Sequence, residues 1–115
     1  MYSHPQFLQG IFSFQGKGMT ETFSLSPTLS YVVPAGKRAQ LLYLRAGNST
    51  DELVSLIILR DGKPMRYFPL GAKSDTHVSL AVVEDLLSET RLDVHAAAPA
   101  DVQGFLVVDI GIVEI

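Results

Sequence analysis

Turn-forming clusters recur through most of this chain of 115 at intervals of 10 to 18 residues, a spacing that leaves room for short strands and little else. The separators are Gly16-Lys17-Gly18, Pro34-Ala35-Gly36, Gly47-Asn48-Ser49, Asp61-Gly62, Gly71-Ala72-Lys73 and Pro99-Ala100-Asp101. Between them lie runs rich in Val, Ile, Leu, Phe and Tyr, at 10–15, 21–26, 30–33, 37–47, 53–60, 64–69, 76–83, 91–97 and 103–114. The best helical candidate, "SLAVVEDLLSETRLDV", keeps no apolar period of 3.6, and its Val82, Val83 and Thr90 favour strands. The pattern predicts an all-β chain, an antiparallel β-sandwich of jelly-roll-like form with an N-terminal strand or arm.

Asp61-Gly62, between "LVSLIILR" and "KPMRYFP", is the clearest hairpin. A type I′ turn, or a type I turn with a bulge, would serve there. The chain divides in character at residue 28. Residues 1–28 hold Phe7, Phe12, Phe14 and Phe23, four of the six phenylalanines, among Gln, Gly, Ser and Thr. They read either as a docked arm or as a strand pair, with 29–115 as the sandwich proper. Gly10–Gln15 is expected to pair as a strand with Phe12 and Phe14 on one face, and deleting residues 1–20 is expected to spare the sandwich but weaken attachment to a larger assembly.

Several function classes are disfavoured by composition. A formal net charge of −3, with no basic cluster beyond Lys37-Arg38, gives no footprint for nucleic acid. Without cysteine there is neither a disulfide framework nor a thiolate metal site. The longest nearly apolar run, 53–59, falls well short of the roughly 20 residues of a membrane span. The N-terminus shows no basic region followed by a long apolar one, so a soluble chain without a secretion signal is expected.

Some strands are apolar on both faces. Leu41-Leu42-Tyr43-Leu44, Leu56-Ile57-Ile58-Leu59 and Phe105-Leu106-Val107-Val108 do not alternate as a strand with one wet face would. A two-layer sandwich has one inner face per sheet, so the outward set needs a cover, and an exposed cluster would aggregate. Self-association is the economical cover. The interface set is Phe7, Phe12 and Phe14 of the N-terminal segment, with Leu42, Leu44, Ile57, Leu59, Tyr67 and Phe68.

Catalytic and metal chemistry find little support. Asp75-x-His77 and Asp93-x-His95 each place an oxygen and a nitrogen on one strand face, which two adjacent strands could combine into four ligands. The denser His/Glu cluster of cupin-type sites is missing, so no metal or other cofactor is expected. Ser74 and Ser79 flank His77 without a nucleophile elbow. Glu84 and Asp85 are adjacent and point to opposite strand faces, and "GKG" at 16–18 lacks the spacing of a phosphate loop. Asn48-Ser49-Thr50 matches a glycosylation sequon, relevant only in a secretory setting. Tyr67 and Phe68 in "PMRYFPLG" keep carbohydrate binding open as an alternative.

From residue 29 onward the order of features resembles a β-sandwich module of tailed-bacteriophage virion proteins. Tyr31-Val-Val-Pro-Ala-Gly-Lys37 is similar to its Y-x-V-P-A-G-K opening, followed by a long strand ending in Asn, "AQLLYLRAGN". Then come the aliphatic strand "LVSLIIL", the hairpin to "MRYFPLG", a segment "VSLAVVEDLLSETRLDVHAA" and a closing "DIGIVEI". The module's usual Gly-Asp before the penultimate strand is replaced within Ser88-Glu89-Thr90. The resemblance implies a non-enzymatic virion structural protein, made in the host cytoplasm and resident in the virion. A head-decoration (cement) or accessory role comes first, and a tail, neck or baseplate role second. Its partners would be further copies of itself and other virion proteins such as the major capsid protein.

Overall fold

The separators become chain reversals, and the segments between them pair. The computed structural model describes residues 4–115, and for 81–84 the backbone alone. Its strands are β1 (His4–Gln15), β2 (Gly18–Ser24), β3 (Ser30–Val32), β4 (Ala39–Asn48), β5 (Val54–Arg60), β6 (Lys63–Leu70), β7 (Asp75–Leu86), β8 (Arg91–Ala98) and β9 (Gln103–Glu114). They form two antiparallel sheets, ordered β1-β9-β4-β7 and β2-β8-β5-β6, with β3 added alongside β8. The chain changes sheet at every connection except β2 to β3 and β5 to β6, the winding of a jelly roll. Residues 1–28 thus supply an edge strand to each sheet. β1 begins earlier than the run at 10–15, because β9 is long enough to pair with it from His4 onward.

Two turns show why these residues sit where they do. Asp61 (φ 50°) and Gly62 (φ 82°) both adopt positive φ, which makes the β5–β6 turn type I′. At the other, Lys37 N–H donates to the Pro34 carbonyl (3.1 Å), with Gly36 at φ 77° in the position where a type II turn favours glycine. A third turn departs from rule. Thr90 N–H closes 87–90 onto the Leu87 carbonyl, and Glu89, within the triplet that replaces Gly-Asp, is held at φ 68°. A side chain is strained there and glycine is not. Glu89→Gly is therefore expected to raise stability by roughly 0.5–1 kcal/mol, read as a higher denaturant midpoint at unchanged slope.

The core lies between the sheets, where Leu41, Leu44, Leu56, Ile58, Val94 and Leu106 meet. The non-alternating stretches find three different explanations. In β4 the register shifts between Leu41 and Tyr43 against both neighbours, a bulge. An extra residue lets Leu41 and Leu44 both point inward while Leu42, 39% exposed, faces out. In β5, Leu56 and Ile58 enter the core, whereas Ile57 is buried on the outer face, between Tyr67 and His95 directly opposite it on the two neighbouring strands. In β9 the outward set, Phe105 and Val107, stays exposed. Tyr31 ties the sheets together, donating from β3 to Glu114 of β9 (2.6 Å). Burial first, then this bond and the carboxylate's charge, raise the Tyr31 hydroxyl pKa.

Candidate assembly face

On β9 the even-numbered Leu106, Val108, Ile110 and Ile112 point into the core, so strand alternation turns Phe105, Val107, Asp109 and Gly111 outward. β1 follows suit: Leu8, Phe12 and Phe14 pack on the core side, while Phe7 and Ile11 face away. The register sets Ile11 opposite Val107, Ser13 opposite Phe105 and Phe7 opposite Gly111. Ile11 is 71% exposed, Phe105 55%, Phe7 54% and Val107 51%. Ile11, Val107 and Phe105 make an apolar strip on two adjacent strands, with Phe7 on the same face beyond the Gln9–Asp109 pair and nothing over them among the described residues.

Beside the strip the same face turns polar. Tyr43 lies over Gly111, where any side chain would collide with its ring. Its hydroxyl donates to Asp109 (3.1 Å), and Arg45 approaches the same carboxylate (3.9 Å). The His77 ring meets Tyr43 edge-on, with centroids 5.9 Å apart. Next to them a shallow depression of about 550 Å3 runs along Gly47 and Val107, walled by Arg45, Asp75 and His77. Burial, then the bond to Asp109, raises the Tyr43 pKa.

The residues nominated from the sequence scatter. Phe7 lies on the same face as the exposed strip. Phe12 is half-buried and turned toward the core. Phe14, Leu44 and Phe68 correct the nomination: all three are core residues, at 8%, 0% and 6% exposure. Phe14 stacks on Phe23 across the sheets (6.1 Å between centroids). Leu42 is exposed at the bulge, Leu59 is half-buried, and Ile57 is already covered within the chain. Tyr67, 64% exposed, stands on the outer face of the other sheet. Ile11, Phe105 and Val107 were the omissions. The signal for the last two lay in the non-alternating run 105–108, which identifies the face once one residue of it is known to point inward. His77 and His95 belong to different sheets, so the two Asp-x-His pairs do not converge. Among the described residues no group of three or more His, Asp or Glu side chains is placed to hold a metal.

Comparison with protein-family models and with curated proteins gives no match. Solved structures do match. A chain of the infectious bursal disease virus Gt strain structure is 14% identical with a TM-score of 0.54, the match covering 98% of this chain and 33% of that one. A chain of T=1 particles derived from infectious bursal disease virus is 12% identical with a TM-score of 0.56, covering 97% and 31%. The CBM36-1 domain of a multidomain xylanase from the hindgut metagenome of Trinervitermes trinervoides is 14% identical with a TM-score of 0.48, covering 91% and 95%. The likeness to the two viral chains is one of fold, a β-sandwich, and this chain spans about a third of their length.

Proposed function

We propose that the chain is a non-enzymatic structural module of a bacteriophage virion that self-associates and docks on a larger protein lattice. A head-decoration or accessory role is favoured over a tail, neck or baseplate role. The observation that carries this reading is the strip of Ile11, Val107 and Phe105, large apolar side chains exposed side by side, with Phe7 beyond Gln9 on the same face. Each gains about 1.5–3 kcal/mol when fully removed from water, so an isolated chain has reason to cover them. The sandwich shared with the viral chains, and the resemblance of residues 29–115 to virion modules, support the class. The resemblance also implies a trimer.

Mass spectrometry of virions purified from the phage that encodes the chain should detect it in stoichiometric amount; its absence overturns the reading. Val107→Asp is expected to abolish attachment to particles in a co-sedimentation assay. The fold should survive, since a surface substitution of this kind costs no more than about 1 kcal/mol. Saturable binding of the unmodified chain on a glycan array would instead favour a sugar-binding module, with Tyr67 as its exposed aromatic platform.

A further inference from the structure

A strand at a sheet edge offers a row of unpaired N–H and C=O groups to any other strand, and proteins blunt such edges with charge, proline or bulges. Three of the four edges here are blunted. The edge shared by β2 and the three-residue β3 is interrupted by a register shift between Gly18 and Phe23 and carries Glu21. β6 holds Lys63, Pro64, Arg66 and Pro69 and is bulged at Met65, where its register against β5 shifts. β7 begins at Asp75, includes Glu84 and Asp85, and shifts register against β4. β1 differs. Beyond His4 and Pro5 at its start it has no such device, and it contains no Asp, Glu, Lys or Arg. All twelve of its residues pair with β9 in unbroken register.

The direction of its free groups can be read from one pair. Gly16 N–H donates to the Val102 carbonyl (2.7 Å), and the Gly16 carbonyl accepts from Asp101 N–H (3.0 Å). Antiparallel alternation then turns the backbone groups of even-numbered residues toward β9 and those of Phe7, Gln9, Ile11 and Ser13 away from the sheet. Pro5 falls in the same outward set, where its missing N–H costs no ladder bond.

We propose that β1 pairs with β1 of a second copy of this chain about a two-fold axis, joining two four-stranded sheets into one continuous sheet. Self-pairing requires an edge that is complementary to itself. The uncharged β1 meets its copy without like charges opposed, whereas the acidic β7 edge and the basic β6 edge would repel theirs. A two-fold axis beside Gly10 overlaps Pro5–Gln15 completely and sets Gln9 opposite the second copy's Ile11 and Phe7 opposite its Ser13. The two strips built on Ile11 and Val107 then merge into one apolar surface. This inference rests on the assembly reading only in taking the chain to self-associate, and sets a two-fold contact in place of the trimer that the resemblance implies.

Sedimentation of the full chain tests it, alongside Gln9→Pro and Ile11→Lys. Gln9→Pro deletes one outward N–H and no bond to β9; Ile11→Lys places a charge on the edge. The unmodified chain should sediment as an even-numbered assembly, and each variant should halve its mass. Amide exchange at Phe7, Gln9, Ile11 and Ser13 should slow about tenfold or more between dilute and concentrated samples. The proposal is overturned by a monomer or odd-numbered assembly of the unmodified chain, by variants that keep its mass, or by outward amides that exchange freely at every concentration. Should Gln9→Pro fail to fold, Ile11→Lys and the exchange measurement decide. A monomer found in virions would sink the edge contact while leaving the virion role standing.

Discussion

Deletion of residues 1–15 is expected to leave a chain without cooperative folding, seen as loss of dispersed amide resonances and of a thermal transition. β1 carries Leu8, Phe12 and Phe14 into the core side of the sheet and pairs along its whole length with β9. Three apolar side chains at about 1.5–3 kcal/mol each, before any ladder bond is counted, amount to much of what a domain has to lose. The deletion would also uncover the β9 edge, whose even-numbered residues direct their backbone groups at β1. The expectation that the first twenty residues could be removed with the sandwich intact is reversed by this placement. A truncated chain that melts cooperatively within a few degrees of the full one would show that β1 is dispensable.

Asn48→Ala is expected to destabilise the fold by roughly 3 kcal/mol, because several buried groups lose partners at once. The Asn48 amide donates to the carbonyls of Glu52 (2.8 Å), Gly71 (3.1 Å) and Leu70 (3.2 Å). Its oxygen accepts from both the backbone N–H and the hydroxyl of Thr50 (2.9 Å each). One side chain thereby fastens the end of β4, in one sheet, to the end of β6, in the other. Thermal unfolding should shift down by about 10 °C or more. Asn48→Asp should do no better, since a carboxylate would face the same carbonyls with no hydrogen to offer. A change below about 1 kcal/mol would mean that water replaces the network readily. The same burial, 4% exposed, makes the sequon at 48–50 a structural motif in the folded chain, with no room for a glycan on Asn48.

Much of the fold was legible beforehand, for local reasons. The Asp61-Gly62 turn requires positive φ at both positions, and few other residue pairs supply it so readily. Pro34-Ala35-Gly36 stops one strand and reverses the chain by the same kind of backbone chemistry. Most strand spans followed from these punctuation marks. Facing was harder to read. "LLYL" at 41–44 looked apolar on both sides, but a bulge, which no side chain announces, adds a residue and puts both Leu41 and Leu44 inside. Phe14 and Phe68 were nominated for an interface because an aromatic near an end or a hairpin reads the same whether it points in or out.

Turn chemistry and apolar periodicity act over a few residues, so the sequence alone determined the reversals and the all-β class, while the reach of β1 back to His4 came only from its pairing with β9. The sequence also determined that β1 is uncharged, which matters because charge needs no tertiary context to be counted. The sheet order, the register of β1 on β9 and the gathering of Ile11, Phe105 and Val107 on one face join residues about a hundred positions apart. Only the tertiary structure decided these. Long-range pairing is selected by how well two whole sheets bury their inner faces against each other, a property of the assembled core and of no single segment.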